Sequence, residues 1–362
     1  VAQTKDDKLV MTKKAKEPSE KKSKKKTAKD TGDPRLTPLP LYQLGSVHWS
    51  RGESEIAESH WLDSLEVSKT INNPRHQAFA HNGLGILAAC KGQSVEARAY
   101  LEKSTAVFEE LGLLGPLGIT QINLVELYYC SGSIRKSLTL AEKTIRQGRE
   151  INNPYGIAIG LGWRALLLFT LGRLHESVQN ATEALRMIEE IGALEDVAFS
   201  LIIMARVRLE NDEPMDALER LEKALPGLQE TDPEGLRPVA HALLAQALAQ
   251  QGEREQAREV LKTFPLSKQE WPHIKVRAEL TRGEAWQKIG DLENSAAAFS
   301  EALELAKNAG YRYYQFLAHN HLSRVEKSAD ARERHERTAK SLGRSIAANL
   351  PRIDAKSFLD HR

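Results

Sequence analysis

Two glycine-rich segments are the first candidates for chemistry in this sequence. Residues 83–88 (GLGILA) and 160–165 (GLGWRA) both match the GxGxxA fingerprint of a dinucleotide-binding loop. That fingerprint works only after a strand, where a tight turn brings the backbone close to a pyrophosphate. No strand pattern precedes either segment. We therefore predict that these glycines allow helices to pack closely and that they bind no nucleotide.

Cys90 and Cys130 are the two cysteines, and they occupy the same phase of two helices that we expect to be neighbours. Adjacent helix axes lie about 8–10 Å apart, whereas a disulfide needs Cα atoms within about 7 Å. A redox pair is the alternative, but we predict two packing residues. Two cysteines can form at most one disulfide, which is too few to stabilise a chain of 362 residues. The disulfide-rich secreted class of proteins is therefore excluded.

The histidines do not form a predicted metal site. His81, His241 and His319 share one phase of the repeat described below, but they belong to repeats that are not adjacent. His175-Glu176 lacks the second histidine of a zinc-binding helix. The sequence also has no P-loop, nucleophile elbow or paired-carboxylate motif. We therefore predict no enzyme, no metal and no cofactor.

A period of 40 residues organises the chain that must position these side chains. The segment Ile71-Asn72-Asn73-Pro74 recurs 80 residues later as Ile151-Asn152-Asn153-Pro154, and glycine or aspartate anchors recur at half that spacing. A two-residue deletion, close to Pro272, shifts the last two anchors. The anchors are Gly52, Gly92, Gly132, Gly172, Asp212, Gly252, Gly290 and Asp330.

Small residues accompany most of the anchors at fixed offsets, which indicates closely approaching helices. Seven residues before the anchors lie Gly45, Gly85, Val125, Ala165, Ala205, Ala245, Gly283 and Ser323, and five after them lie Ala57, Ala97, Ser137, Ser177, Ala217, Ala257, Ser295 and His335. A second helix-ending signal follows 20 residues after six anchors, at Asn72, Gly112, Asn152, Gly192, Asp232 and Gly310. Each unit is thus predicted to be a helix A that ends at the anchor and a helix B that follows it, each of about 16–18 residues.

This pattern resembles the tetratricopeptide repeat in its 40-residue, long-helix form. The residues that carry the resemblance are Leu84, Gly85, Gly92, Ala97, Leu101 and Ser104 in repeat 2, and Gly283, Trp286, Gly290, Phe299 and Ala302 in repeat 7. The resemblance implies an all-α fold, a right-handed α-solenoid of about eight antiparallel helix pairs over residues 36–350. Repeat 6 departs from the pattern because Phe264-Pro265 truncates its helix B, which leaves either a tolerated deletion or a hinge.

The resemblance also implies that helix A lines a concave groove. Three positions of helix A, spaced i, i+4 and i+7, would face that groove in every repeat, and we call them the A stripe. They are mostly apolar in repeats 1–5 and mostly polar in repeats 6–8. The members that we predict to contact a partner are Tyr42, Trp49, Asn82, Ile86, Glu126, Tyr129, Leu166, Phe169, Arg206, Gln246, Glu284, Asn320 and Arg324.

Two interpretations of the A stripe stay open. It either binds an amphipathic helix or extended segment with an acidic flank, or its side chains fill the interior of a tight superhelix. The carboxylate clamp with which some proteins of this family bind chaperone tails needs Lys and Asn where Tyr42 and Ser46 stand in repeat 1. Binding of chaperone tails is therefore not predicted.

Charge divides the chain into a basic tail and an acidic body. Residues 1–33 contain eleven lysines and six acidic residues, with no Phe, Tyr, Trp or Ile, whereas the whole chain has a net charge of only +2. We predict a disordered lysine-rich tail or linker over residues 1–35, which could touch nucleic acid or anionic membrane, act as a nuclear import signal, or dock on the acidic body. Residues 351–362 are predicted to be a C-terminal tail.

These observations favour a protein-binding scaffold over other classes. No apolar run approaches the roughly 20 residues of a membrane helix, and no secretory leader is visible. The start at Val1 and the basic segment favour the regulatory module of a larger cytoplasmic signalling protein, similar to bacterial kinase or ATPase regulators with such repeats. A free-standing adaptor or assembly factor is the alternative. Helical-repeat RNA binding is disfavoured because the body carries a net charge of −3.

Overall fold

A computed structural model describes residues 37–193, 197–230, 235–264 and 271–361, and in these ranges the chain is helical without strands. The predicted A helices are α1 (Pro38–Ser50), α3 (Pro74–Cys90), α5 (Leu114–Cys130), α7 (Pro154–Thr170), α9 (Val197–Glu210), α11 (Arg237–Gln250), α13 (Pro272–Ile289) and α15 (Arg312–Val325). The B helices are α2 (Ser54–Thr70), α4 (Ser94–Glu110), α6 (Ile134–Glu150), α8 (Leu174–Ile191), α10 (Pro214–Glu230), α12 (Arg254–Lys262), α14 (Leu292–Asn308) and α16 (Ala329–Ala347). The all-α, helix-pair fold is confirmed.

The anchors end the A helices as predicted because they adopt a left-handed backbone. Gly52, Gly92, Gly132, Gly172, Asp212, Gly252 and Gly290 all have a positive φ, between 59° for Asp212 and 93° for Gly252. The second signal behaves alike at Asn72, Gly112, Asn152, Gly192 and Gly310, whereas Asp232 lies outside the described residues. This conformation lets the chain reverse between helices.

The eighth anchor is wrong. Asp330 lies in the first turn of α16, and α15 already ends at Val325. The connection is extended instead, with φ −60° and ψ 139° at Glu326, and the Ser328 side chain caps α16 by accepting a hydrogen bond from the Ala331 N–H. A side-chain cap takes the place of the left-handed turn here, and residue type at the anchor could not distinguish the two.

The small residues at fixed offsets lie at the contact between the two helices of a repeat. Ala57, Ala97, Ser137, Ser177, Ala217, Ala257 and Ser295 are fully buried. In three repeats the serine hydroxyl donates to the carbonyl of the small residue 12 positions earlier: Ser137 to Val125 at 2.7 Å, Ser177 to Ala165 at 2.7 Å and Ser295 to Gly283 at 2.9 Å. Alanine and serine thus occupy equivalent packing positions, and where serine is present a backbone carbonyl of helix A accepts its hydrogen bond.

Repeat 6 has the truncated helix B that Phe264-Pro265 predicts. Helix α12 has nine residues, and residues 265–270 lie outside the described ranges. Residues 1–36 also lie outside the described ranges, so the predictions for the lysine-rich tail over residues 1–35 are neither confirmed nor contradicted. Among the described helices, none combines the length and the apolar character that crossing a membrane demands.

The described chain divides into two compact units. Unit 1 comprises residues 37–89 and 95–120, and unit 2 comprises residues 90–94 and 121–361. Trp61 of α2 is the centre of unit 1, with 2% of its surface exposed. A side chain at Gly45 or Gly83 would place its Cβ 2.4 Å or 2.6 Å from the Trp61 ring, so glycine is what admits the indole between α1 and α3.

Unit 2 contains an additional helix, α17 (Arg352–His361), where we predicted only a C-terminal tail. Phe358 is fully buried, and its ring centroid lies 5.4 Å from that of Phe316. The Ser357 hydroxyl donates to the Leu171 carbonyl of repeat 4 at 2.5 Å, and Asp354 lies 3.8 Å from the Arg173 guanidinium. This helix therefore joins repeat 4 to repeat 8 within unit 2.

Candidate functional site

In unit 1 the predicted A-stripe residues pack against their neighbours along the chain. The Tyr42 ring lies 5.3 Å from the Phe79 ring of α3. Burial raises the pKa of the Tyr42 phenol, and hydrogen bonds with Ser46 and Asn82 offset part of that rise. Asn82 is 4% exposed. These polar groups are therefore partnered within unit 1.

Trp49 and Ile86 are the two other predicted residues of unit 1. The ring centroid of Trp49 lies 6.1 Å from that of Trp61. Both Trp49 and Ile86 are half-buried, so each still presents apolar surface to solvent. They are the members of this unit that could contact a partner without rearrangement.

In unit 2 the predicted apolar members of the A stripe form the interior of the unit. Tyr129 of α5 and Phe169 of α7 are each 4% exposed, and Leu166 is 3% exposed. The ring centroid of Tyr129 lies 4.9 Å from that of Tyr313 and 5.9 Å from that of Tyr314, both in α15. Repeat 3 thus contacts repeat 8, although a solenoid repeat ordinarily contacts only its neighbours.

Arg206 of α9 is the centre of a polar group in this interior. Its guanidinium donates to the Thr281 hydroxyl at 3.1 Å, lies 3.5 Å from a Glu284 carboxylate oxygen, and stands 5.7 Å from the centroid of the Phe169 ring. His321 of α15 reaches the second Glu284 oxygen at 3.3 Å. Burial, the largest single influence, opposes the charge of Arg206, but Glu284 together with Tyr129, Tyr313 and Glu210 outweighs it, and the pKa of Arg206 is raised. The charge is therefore permanent.

A second polar contact joins α5 to α13, because the Glu126 carboxylate contacts the His273 imidazole. Gln246 of α11 is half-buried, and its Oε1 is buried without a hydrogen-bond partner among the described residues. In α15, Asn320 is half-buried and accepts a hydrogen bond from the Ser323 hydroxyl at its carbonyl, whereas Arg324 is exposed. The predicted polar end of the A stripe is therefore present, with Arg324 at its solvent side.

In unit 2 the arrangement of the A stripe is closer to the second of the two interpretations, in which its side chains fill an interior, than to an open groove. Tyr129, Leu166 and Phe169 are covered by other helices, and Glu126, Arg206 and Glu284 have partners in the chain. Partly exposed charges in a largely apolar lining are the ordinary composition of a ligand site. The Arg206 guanidinium can bind the carboxylate of a ligand if the Glu284 carboxylate moves away from it.

Sequence reasoning missed the residues that complete this interior. They are His273, Thr281, Tyr313, Tyr314 and His321, all from α13 and α15. Their contacts join repeats 3, 5, 7 and 8, so no period of 40 residues could reveal them. The one available signal was local: Tyr313-Tyr314 opens a helix A with two consecutive aromatic residues, which a simple amphipathic helix does not need.

The glycine-rich segments and the two cysteines all lie in helices. Both GxGxxA segments lie inside helices α3 and α7. Cys90 and Cys130 are free thiols, and burial raises the pKa of both, with the Glu126 charge as a further cause. A thiol held protonated is a poor nucleophile. In the described ranges no three His, Cys, Asp or Glu side chains could share a metal ion.

Comparison with known proteins identifies the repeat. The tetratricopeptide repeat family model matches residues 37–110 and, in a second form, residues 208–280. No protein with curated annotation matches the sequence.

Solved structures of helical-repeat proteins share the fold at low sequence identity. The apo form of RapI is 14% identical with a TM-score of 0.62, over 75% of this chain and 98% of that one. The Rap conjugation gene regulator of plasmid pLS20, in complex with the Phr* peptide, is 14% identical with a TM-score of 0.56, over 87% and 83%. A signal transduction ATPase with a tetratricopeptide repeat sensor, from Pyrococcus horikoshii, is 14% identical with a TM-score of 0.50, over 91% and 51%.

These identities establish the fold alone, and the family matches agree with it. Residues 37–110 and 208–280 are therefore tetratricopeptide repeats.

Proposed function

We propose that this chain is a protein-interaction scaffold whose second unit binds a peptide or amphipathic helix of a partner along its A helices. The observation that carries the proposal is Arg206, a permanent charge inside unit 2 that stands against Phe169 and is held by Thr281 and Glu284. A carboxylate of the ligand would replace Glu284 at this guanidinium. The pLS20 Rap regulator, solved with a peptide, supports a peptide as the class of ligand.

The A-stripe residues of unit 2 would then act in two groups. Glu126, Arg206, Gln246, Glu284 and Asn320 offer polar contacts, and Arg324 attracts an acidic flank from solvent. The second group, Tyr129, Leu166 and Phe169, supplies the apolar lining once the interior opens. Tyr42, Trp49, Asn82 and Ile86 stay a separate prediction for unit 1.

Charge reversal tests the proposal directly. Peptides are first selected from a displayed random library, and their affinity is then measured by calorimetry for the wild type and for Arg206→Glu and Arg324→Glu. We expect at least tenfold weaker binding for both variants, because each loses a charge-assisted contact and gains a repulsive one. The matched control is Arg186→Glu on α8, where the side chain is 60% exposed and pairs with Glu190. Wild-type affinity in both A-stripe variants, with helix content retained, contradicts the proposal.

We further infer that the scaffold is the sensing module of a larger signalling protein, which the ATPase with a tetratricopeptide repeat sensor supports by analogy. The coding sequence upstream of Val1 tests this inference. A kinase or ATPase motif there supports it, and a start codon favours the free-standing adaptor.

The RNA-binding alternative would require that residues 37–362 bind RNA with an affinity that falls steeply as the salt concentration rises.

A further inference from the structure

An open cleft with three arginines lies between α6, α7 and α8 in unit 2. Its volume is about 490 Å³, and its lining includes Arg146 and Arg149 of α6 and Arg164 of α7. Arg164 points away from the A stripe of α7, because two residues along a helix turn by about 200° and Gly162 and Leu166 belong to that stripe. The cleft is therefore a separate site from the one at Arg206.

The arginines in this cleft differ in their partners. The Arg164 guanidinium donates to the side-chain amide oxygen of Asn180 at 2.8 Å and to the Glu142 carboxylate at 3.3 Å. Arg149 lies 3.9 Å from Glu183, and both of these side chains are about half exposed. Arg146 is exposed and forms no ion pair or hydrogen bond through its side chain within the described ranges.

Arg164 is held in position for a ligand. Its partner Asn180 is 7% exposed and donates its own amide N–H to the Glu176 carbonyl at 2.8 Å, which orients the amide. A guanidinium has five N–H groups, and two of those in Arg164 are engaged by Asn180 and Glu142. Three donors remain, so a further oxygen can be accepted without releasing either partner.

The charges of the cleft select the ligand. Three guanidiniums face two carboxylates, Glu142 and Glu183, which leaves one positive charge in excess. A single carboxylate neutralises that charge, whereas a phosphoryl dianion would leave a negative charge beside two glutamates. The side chains of Ile145 and Leu161 also line the cleft and favour an apolar neighbour. We propose that this cleft binds a carboxylate next to an aliphatic side chain, presented by a peptide segment of a protein partner.

The proposal is tested with a peptide selected for this cleft. A displayed library of random dodecapeptides is panned against the full wild-type chain and counter-selected with the Arg146→Gln/Arg149→Gln double variant. The peptides that survive should carry Asp, Glu or a free carboxyl terminus beside Leu, Ile or Val. Failure to enrich any such peptide overturns the proposal.

Fluorescence anisotropy with the best selected peptide then measures the contribution of each group. We expect about tenfold weaker binding for Arg146→Gln and for Arg164→Gln, and an equal loss when the peptide acid is changed to its amide. Amidation of the peptide carboxyl terminus, made separately, distinguishes a terminal from a side-chain carboxylate. The matched control is Arg186→Gln, on α8 but outside the cleft, which should bind within twofold of the wild type.

Two outcomes separate this proposal from its rivals. Replacement of the acidic residue by phosphoserine should not tighten binding, and a tenfold gain would overturn the carboxylate assignment in favour of a phosphorylated partner. Arg206→Glu should leave the affinity for this peptide unchanged. If Arg206→Glu weakens binding and Arg146→Gln does not, the peptide occupies the proposed interior site of unit 2, and the cleft proposal fails while the proposed function stands.

Discussion

The two units use the same repeat to build different interiors. In unit 1 the contacts of Tyr42, Trp49 and Trp61 join helices that follow one another closely in the chain, and the A stripe stays partly exposed. In unit 2 the A stripe of repeat 3 packs on the helices of repeats 7 and 8 through Tyr129 and Glu126. One local pattern is thus compatible with an accessible stripe and with a covered one, and distant aromatic and charged residues decide between them.

The largest expected effect comes from removing the Trp61 side chain at the centre of unit 1. Trp61→Ala should lower the free energy of unfolding by about 3–5 kcal/mol, because it leaves a large cavity between two glycines that cannot fill it. Urea unfolding gives the energy, and hydrogen exchange should show the lost protection within unit 1. Leu62→Ala is the control, since Leu62 is 46% exposed and should cost about 0.5 kcal/mol or less. Equal effects of the two variants would contradict the central role of Trp61.

The corresponding change in unit 2 removes the contact between repeats 3 and 8. Tyr129→Ala should cost about 2–4 kcal/mol, because a buried ring loses the faces of Tyr313 and Tyr314. Hydrogen exchange should locate the loss in both α5 and α15. Tyr155→Ala, at a position 41% exposed in α7, is the control and should cost less than about 1 kcal/mol. Loss of protection confined to α5 would show that the closure is not cooperative.

The polar contact at Arg206 should matter less than the aromatic one. Glu284→Ala leaves Arg206 partly buried without its carboxylate, which should cost about 1–3 kcal/mol. The double variant Arg206→Met/Glu284→Leu should recover part of that loss, since no unpaired charge remains. Thermal or urea unfolding of Arg206→Met, Glu284→Leu and the double variant gives the coupling free energy. A coupling near zero would mean that the pair does not stabilise the closed interior.

Acid should destabilise both units through half-buried histidines. Burial, with Lys103 and Lys69 in addition, lowers the pKa of His81 in unit 1 to about 4. Burial, with His335 and Lys307 in addition, lowers the pKa of His319 in unit 2 to about 4. Below pH 6.5 the unfolded chain therefore binds protons that the folded chain excludes, so stability is complete above about pH 6.5 and falls as the pH decreases to 4.

Because both side chains are partly exposed to solvent, the slope of this loss should stay below about 1.4 kcal/mol per pH unit for each histidine, which is the limit for one proton. Urea unfolding at several pH values between 7 and 4.5 measures it. His319→Gln should remove the share of the slope that His319 contributes, whereas His175→Gln, at an exposed position of α8, is the matched control. A slope unaffected by His319→Gln would show that the His319–His335 contact, at 2.7 Å between the Nδ1 atoms, does not exclude the proton.

The smallest expected effect concerns the close contact between the two helices of a repeat, which both units share. Ser177→Ala removes the hydroxyl that donates to the Ala165 carbonyl and should cost about 0.5–1.5 kcal/mol. Ala217→Ser introduces the same group at the equivalent position of repeat 5 and should be tolerated to within about 0.5 kcal/mol, because the Ala205 carbonyl can accept it. Urea unfolding compares the two variants. A larger cost for Ala217→Ser would show that the repeats do not have equivalent helix contacts.

The sequence predicted what depends on neighbouring turns of helix. Gly52 and its equivalents marked the helix ends because left-handed backbone favours glycine, and Ala57 and its equivalents marked the closest contacts because larger side chains do not fit. The truncated helix of repeat 6 followed from Phe264-Pro265. Each of these features is decided by residues within one repeat.

What escaped prediction depends on residues far apart in sequence. Nothing local distinguishes Tyr129 as a groove residue from Tyr129 as the partner of Tyr313. The helix at Arg352–His361 was missed because its burial depends on Phe316 and Leu171 rather than on its own short pattern. Asp330 failed as an anchor because Ser328 supplies a cap that residue spacing alone does not show.

The contact of Ser357 with Leu171, 186 residues apart, has a consequence for biosynthesis. Repeats whose contacts are all local can fold one by one as they leave the ribosome. Unit 2 cannot, because the surface of repeat 4 that receives α17 stays uncovered until the last of these helices has been made. Its folding rate should therefore be limited by closing a long loop, and during that interval the nascent chain exposes apolar surface that chaperones recognise.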